Sequence, residues 1–148
     1  GGDFYDFYFV DSDHLALVIA DVSGKGIAAT MFMMRAKTAL QGFLKSELSL
    51  AEAVSAASGR LADSNDSNMF VTAWVGVVNV QTGDLEYVNA GHNPPLLVHG
   101  GEVTYMRKRS GPPLAALNEV NYSTEKLCLA KGDGILLYTD GVTEANWE

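Results

Sequence analysis

Three aspartates at the ends of apolar runs constrain this chain more than any other feature. Asp3 follows two glycines, and Asp21 ends the apolar run 15–20 just before a glycine-rich stretch. Asp140 follows the run 134–138 and precedes another glycine. Strand ends that converge would gather these carboxylates, which repel one another unless a cation lies between them. Carboxylate oxygens suit Mg²⁺ or Mn²⁺ better than zinc, so the sequence predicts metal-assisted chemistry on a phosphate.

The composition is that of an acidic globular protein. The 148 residues are 47% hydrophobic and 19% charged, which is ordinary for one domain with a hydrophobic core. The formal charge of -8 argues against a nucleic-acid partner, because phosphate backbones require a basic face. The longest apolar runs, such as 15–20, are too short to cross a bilayer, so no membrane partner is expected.

The lone cysteine and the chain ends predict the compartment and the domain organisation. Cys128 has no partner for an internal disulfide, and its apolar neighbours predict a buried thiol of a cytoplasmic protein. The chain opens directly on a motif and stops inside an apparent helix start. We therefore expect residues 1–148 to form a single domain that is an excised or incomplete fragment.

The first half of the chain reads as two strands followed by two helices. The runs 4–10 and 15–20 have strand character, and a helical pattern covers 27–44. The large apolar side chains of this helix, including Met31, Met33 and Met34, are interpreted as core packing. A second helix is predicted where a serine and a glutamate have the spacing of a capping box, Ser49 and Glu52.

The second half reads as about six strands joined by glycine-containing turns. Hairpins are predicted around 81–84 and 100–101, and a third is predicted to pair 122–129 with 134–138. The order of elements predicts an α+β fold with two packed antiparallel sheets and helices outside. The proline-containing segment 108–121 is predicted to be a loop.

A glycine-rich loop and a turn histidine are further candidates for a site. Gly24, Lys25 and Gly26 precede the first helix, where an anion such as a substrate phosphate binds well. They do not form a Walker A loop, which requires Ser or Thr at position 26. His92, in the turn 90–95, is the most site-like histidine, although its interpretation is structural hydrogen bonding. His14 and His99 are interpreted as strand-edge residues.

Other acidic positions have simpler interpretations. Asp6, Asp11 and Asp13 lack the setting of a glycine at the end of an apolar strand, and are predicted to lie in solvated turns. The start 1–4 superficially resembles the GGDEF nucleotide cyclases. Phe4 replaces the acidic residue that should follow, and the expected βαβ pattern is absent, so a nucleotide enzyme is disfavoured.

Together, the motifs resemble the SpoIIE/RsbU branch of the metal-dependent serine/threonine phosphatases, the type 2C or PPM family. Six stretches carry the resemblance, namely 1–6, 21–29, 69–74, 90–95, 111–114 and 138–145. The combination in this order is specific, although no single stretch is. The family fold is a β-sandwich flanked by helices, in agreement with the predicted elements.

The resemblance implies a site for two Mn²⁺ or Mg²⁺ ions. Asp3 resembles the ligand of one ion, Asp21 the carboxylate that bridges both, and the Val22 carbonyl the backbone ligand beside it. Asp140 resembles a ligand of the other ion. In the family, a further metal-binding aspartate follows in a final strand that residues 1–148 do not include.

The resemblance also implies a function and partners. The expected reaction is hydrolysis of phosphoserine or phosphothreonine on an anti-anti-sigma (STAS) protein, in a bacterial partner-switching pathway that an upstream sensor or response-regulator domain controls. The helix from Ile27 and the loop 108–121 are the expected docking surfaces. The alternative is an inactive regulatory or binding module with the same fold. Because a missing final strand would leave a sheet edge exposed, we expect the fragment to form oligomers, with domain swapping as one route. As a catalyst, the fragment is expected to be weak or inactive.

Overall fold

The computed structural model describes residues 2–63 and 65–139. Within these residues two strands precede two helices and six further strands follow, as predicted. The strands are β1 (Asp3–Phe9), β2 (His14–Val22), β3 (Val71–Asn79), β4 (Asp84–Ala90), β5 (Leu96–His99), β6 (Glu102–Tyr105), β7 (Glu125–Cys128) and β8 (Gly134–Leu136). The helices are α1 (Gly26–Leu44) and α2 (Leu50–Ala62).

Five strands form an antiparallel sheet in the order β1-β2-β3-β4-β7. Its inner strands β2 and β3 are apolar and mostly buried because both faces of the sheet are covered. The pairing register places Asp3 opposite Asp21 and Asp21 opposite Thr72. Paired residues share one face of a sheet, so these three side chains project from the same face.

The two helices pack on the opposite face of this sheet. The predicted capping box of α2 is confirmed, because Ser49 Oγ accepts from the Glu52 N–H and Glu52 Oε1 accepts from the Ser49 N–H. The buried residues of α1 are three alanines and three larger apolar residues, namely Ala29, Phe32, Ala36, Ala39, Leu40 and Leu44. No helix of the described residues is long and apolar enough to span a membrane.

A second, three-stranded sheet has the order β6-β5-β8. It covers the other face of the first sheet, where Trp74 stacks on Tyr87 with ring centroids 5.4 Å apart. Leu97 and Ile135 from the second sheet pack against this cluster. The predicted fold class, two packed antiparallel sheets with helices outside, is confirmed.

The third predicted hairpin is wrong. β7 pairs with β4 and β8 pairs with β5, so the two strands belong to different sheets. The turn between them is closed by the Ala130 N–H, which donates to Asp133 Oδ2 at 2.8 Å. This short turn resembles a hairpin in sequence, but here it carries the chain from one sheet to the other.

Two predictions of burial on the helix and on the edge strand are also wrong. Met31 and Met34 are 61% and 60% exposed, because the buried face of α1 contains Phe32, Ala36 and Leu40 instead. Of the three methionines of α1, only Met33 packs partly against the core. Cys128 is exposed, since alternation along β7 directs Leu127 toward the core and its neighbour outward.

The prediction that Asp6 lies in a turn is wrong. It belongs to β1, opposite Val18, and its Oδ1 accepts from the Phe7 N–H at 3.0 Å. Asp11 and Asp13 do lie in the exposed turn between β1 and β2, where Asp11 Oδ1 accepts from the N–H of Asp13.

Candidate metal centre at the end of the sheets

Two of the three predicted metal-binding aspartates face each other at one end of the five-stranded sheet. Asp3 begins β1 and is exposed, while Asp21 lies near the end of β2 and is half-buried. Side chains directly opposite in an antiparallel pair have Cβ atoms about 5 Å apart, and like charges in that position are destabilising. The sequence therefore places two carboxylates where a cation between them would lower the energy.

The third aspartate is approached through the residue before it. Thr139 Oγ1 donates to Asp3 Oδ2 at 3.3 Å. This bond brings the segment after β8 to the first residue of β1. Asp140 itself lies outside the described residues. The structure thus joins Asp3, Asp21 and the residue that immediately precedes Asp140 in sequence.

The backbone around Val22 is held by the two neighbouring segments. The Val22 N–H donates to the Gly2 carbonyl oxygen at 2.8 Å, and the Ser23 N–H donates to the Phe70 carbonyl oxygen at 2.9 Å. Ser23 Oγ accepts from the Phe70 N–H at 2.9 Å. A Cβ at position 2 would lie 3.0 Å from the Val22 carbonyl oxygen, so a glycine there leaves space beside the predicted backbone ligand.

A cleft of about 910 Å³ opens beside Asp21 and Val22 and runs along the start of α1. The glycine-rich loop lines it, and Gly24 and Gly26 have φ angles of 92° and 79°, which favour glycine. Lys25 is the N-cap residue and makes no side-chain capping bond, and no acidic residue lies in the first turn. The positive end of the helix dipole therefore borders the cleft without a carboxylate of its own helix beside it.

The donor atoms at this end fit a hard divalent cation. The candidates are the Asp3 and Asp21 carboxylates and the Val22 carbonyl, all oxygens, as Mg²⁺ and Mn²⁺ prefer. Among residues 2–63 and 65–139, no group of three or more His, Cys, Asp and Glu side chains is arranged to hold a metal. The predicted third carboxylate, Asp140, is outside those ranges.

A polar network that the sequence did not predict lies behind the carboxylates. His92 is 2% exposed, its Nε2 lies 2.9 Å from the Tyr138 carbonyl oxygen, and its Nδ1 lies 3.1 Å from Thr72 Oγ1. The Thr72 hydroxyl also lies 3.4 Å from the Asp21 carbonyl oxygen. The turn position of His92 was the one signal in the sequence, and the interpretation of this residue as a structural hydrogen-bonding partner agrees with its contacts.

The other two histidines contact aspartates elsewhere, on exposed side chains except for that of Asp133, which is 6% exposed. His14 Nδ1 lies 2.9 Å from Asp11, and His99 Nδ1 lies 2.8 Å from Asp133. The pKa of Asp133 is held below its usual value by the Ala130 N–H and then by His99. These pairs begin β2 and end β5, as the strand-edge interpretation predicted.

Comparison with known proteins identifies the family. The family model of stage II sporulation protein E (SpoIIE) matches residues 11–148. Phosphoserine phosphatase RsbU of Bacillus subtilis is 30% identical over 148 residues, covering 99% of this chain and 44% of that protein. The chain therefore spans less than half the length of this relative.

Solved structures agree on the fold. The RsbU and RsbW domains of Rv1364c from Mycobacterium tuberculosis superpose with a TM-score of 0.85 at 32% identity, over 97% of this chain and 40% of that one. The type 2C phosphatase domain of SpoIIE from Bacillus subtilis gives 0.84 at 20% identity, over 97% and 41%. RsbX in complex with magnesium gives 0.71 at 20% identity, over 89% and 62%. With sequence, fold and domain match in agreement, the chain belongs to the SpoIIE family.

Proposed function

We propose that this chain is a metal-dependent protein phosphatase domain that hydrolyses phosphoserine or phosphothreonine. The observation that carries the proposal is the placement of Asp3 directly opposite Asp21, with Thr139 bonded to Asp3 just before Asp140. The relative RsbU is named a phosphoserine phosphatase, and the matched structures share the fold. A divalent cation is the group that would stabilise this pair of carboxylates.

Each candidate ligand has a separate role in this proposal. Asp3 would be a ligand of one ion, Asp21 a ligand shared by both, the Val22 carbonyl a backbone ligand beside it, and Asp140 a ligand of the second ion. Two Mn²⁺ or Mg²⁺ ions, when bound, lower the pKa of a water nucleophile and offset the charge of the phosphate. The magnesium complex of RsbX supports this choice of metal.

The glycine-rich loop is proposed to hold the substrate phosphate. Gly24 and Gly26 leave the backbone of the cleft uncovered, and the start of α1 supplies the positive end of a 19-residue helix. Lys25 is exposed beside the same cleft and adds a positive charge. The loop and Asp21 line one cleft, so a phosphate held by the loop would lie beside Asp21.

The test is phosphate release by the chain with Mn²⁺, first from an aryl phosphate and then from phosphoserine and phosphotyrosine peptides. We expect release from the aryl phosphate and phosphoserine, and loss of it in Asp21→Asn. Asp13→Asn is the matched control, because Asp13 is exposed at the far end of β2. Metal binding without phosphate release would favour the alternative, an inactive regulatory or binding module, and preference for phosphotyrosine would reject the assignment.

Substrate docking is proposed for the exposed face of α1. Ile27, Met31 and Met34 are 80%, 61% and 60% exposed, and their spacing of four and three residues places them on one stripe. Ile27 and Met31 also line the cleft that contains Asp21. A protein whose phosphorylated serine reaches Asp21 would therefore lie against this stripe.

Charge favours an acidic partner for this face. None of the chain's acidic residues lies between Asp21 and Glu47. Four basic residues do, namely Lys25, Arg35, Lys37 and Lys45. In a chain with a formal charge of -8, this helix is a basic exception, and such local complementarity speeds the association of partners.

The loop 108–121 borders the same end of the first sheet. The Val71 N–H and the Leu114 carbonyl bond at 3.0 Å, and the Leu114 N–H returns a bond to Val71 at 2.7 Å. Leu117 is 57% exposed near the middle of this loop. The loop is therefore proposed as a second docking surface, with α1 as the first.

The proposed substrate is a phosphorylated STAS protein of a partner-switching pathway, and an upstream sensor is proposed to control the domain. Replacing Met34 and Lys37 together by glutamate should raise KM for this phosphoprotein about tenfold, equivalent to about 1.4 kcal/mol. The rate on an aryl phosphate should not change. Val103→Glu, at an exposed position of β6, is the control, and an equal effect of both variants would reject docking on α1.

A further inference from the structure

His92 bridges the two parts of the candidate centre that are far apart in sequence. Its ring lies between the Thr72 hydroxyl on β3 and the Tyr138 carbonyl after β8, at 3.1 Å and 2.9 Å. Thr72 is the backbone partner of Asp21. Tyr138 precedes Thr139, which donates to Asp3. One buried side chain therefore connects the strand beside Asp21 to the segment that leads to Asp140.

The hydrogen-bond partners of His92 determine which ring nitrogen carries the proton. A carbonyl oxygen only accepts, so Nε2 carries a proton and donates to Tyr138. In the neutral ring Nδ1 is then an acceptor, so the single proton of the Thr72 hydroxyl points to Nδ1 at 3.1 Å in preference to the Asp21 carbonyl oxygen at 3.4 Å. Both ring nitrogens are engaged in these bonds, which leaves the ring suited to hold two backbone segments rather than to exchange protons with a substrate.

The turn that carries His92 is itself tightly held. The His92 N–H donates to Asn89 Oδ1 at 2.8 Å, and the Asn89 N–H donates to Ser110 Oγ at 3.0 Å. Gly91 has a φ of 70°, and a Cβ there would lie 2.8 Å from Pro113 Cγ. These contacts fix the starting point of the histidine side chain independently of the carboxylates.

We infer that His92 is a positioning residue of the proposed metal centre: it sets the distance between the Asp21 strand and the segment leading to Asp140. The inference rests on the proposed function, since it concerns the same carboxylates. Groups that hydrogen-bond directly to metal ligands typically change metal affinity 10–100-fold when removed, and His92 acts one residue further away, through Thr72 and Tyr138. The predicted consequence is therefore a loss of Mn²⁺ affinity, and not the loss of a proton donor.

The experiment measures the Mn²⁺ dissociation constant by calorimetry for the whole chain and three variants, together with the metal-free melting temperature. His92→Ala should weaken Mn²⁺ binding at least tenfold. His92→Gln, whose amide N–H₂ can still donate to the Tyr138 carbonyl, should recover most of that affinity. His99→Ala, a change at an exposed histidine on β5, should leave the constant unchanged.

Activity separates positioning from proton transfer. At saturating Mn²⁺, kcat of His92→Gln on an aryl phosphate should approach that of the unaltered chain, with an unchanged pH profile. An unchanged dissociation constant in His92→Ala would overturn the inference even if the melting temperature fell. If His92→Ala does not fold, Thr72→Val decides the question, since it removes one bond of the bridge and should also weaken binding. If the unaltered chain binds no Mn²⁺, the proposed function fails with it.

Discussion

Both ends of strand β2 have aspartates and a histidine nearby, but at one end the partners are close in sequence and at the other they come from distant segments. At its start, His14 pairs with Asp11 three residues away, and both side chains are exposed. Near its finish, Asp21 faces Asp3 across the sheet, and the buried His92 ties its neighbour Thr72 to a distant segment. Local pairs of this kind close a turn, whereas convergence of separate segments can hold a ligand. The difference teaches that the partners of a carboxylate, not its presence, distinguish a site.

The largest expected effect is a loss of stability when Gly91, in the turn that carries His92, is replaced. Gly91→Ala should destabilise the fold by roughly 2–5 kcal/mol, because about 1–2 kcal/mol comes from the left-handed backbone and about 1–3 kcal/mol from overpacking against Pro113. Gly132→Ala is the control, because its φ is also positive but nothing lies within 4 Å. Urea unfolding measures both, and equal losses would show that the contact with Pro113 is unimportant.

The next effect compares the carboxylates at the two ends of β2. At a Mn²⁺ concentration a hundred times the dissociation constant, binding should add about 2.7 kcal/mol to the free energy of unfolding. Asp21→Asn should abolish this gain, because it removes one of the two facing carboxylates. Asp13→Asn should retain the full gain. A melting temperature of the unaltered chain that does not respond to millimolar Mn²⁺ would count against the metal centre.

The smallest effect concerns the start of β2 alone, where Asp11 pairs with His14. The Asp13 N–H and then the His14 side chain hold the pKa of Asp11 below its ordinary value of 3.8. A depressed folded-state pKa contributes stability above the unfolded value, and this stability is lost as the pH falls through the folded value. The loss at Asp11 should therefore occur below about pH 4. Carboxyl NMR titration measures this directly, and His14→Ala should move the pKa upward, whereas a midpoint at or above the ordinary value would contradict the contact.

Local rules were sufficient for much of the fold. The capping box of Ser49 and Glu52, the turn at Gly83 and the continuous apolar runs of β2 and β3 each depend on a few neighbouring residues. Strand pairing across the two sheets depends on residues far apart in the chain, and for that reason the prediction that β7 pairs with β8 was wrong. The turn at Asp133 satisfies its own hydrogen bonds whichever sheet the next strand joins.

The buried face of α1 was misread for a different reason. Large apolar side chains such as Met31 and Met34 dominate a hydrophobicity pattern, yet the helix buries Phe32, Ala36 and Leu40 instead. The buried positions repeat every three or four residues along one face of the helix, and Met31 and Met34 lie off that face. Cys128 was misplaced similarly, because the alternation of β7 outweighs the apolar character of its neighbours.

The candidate site was predicted in its carboxylates but not in what holds them. Asp3 and Asp21 were found because each lies at an end of an apolar run near glycine, and the register then placed them opposite each other. Thr72 lies in one of the stretches that carry the family resemblance, but its role was not predicted, since it arises from pairing with Asp21 and from the ring of His92. The ligand roles of the carboxylates and the self-association of the chain remain predictions.

The most direct test of the metal centre is to locate bound Mn²⁺ by NMR. The ion broadens nearby amide signals, and the broadening falls steeply with distance. β2 has nine residues, so its two ends lie about 26 Å apart at roughly 3.3 Å per residue. We predict that substoichiometric Mn²⁺ removes the amide signals of Asp3 and Val22 first and leaves those of Asp13 and His14 sharp. Loss of the signals at Asp13 and His14 first, or uniform broadening along β2, would contradict a metal centre at Asp3 and Asp21.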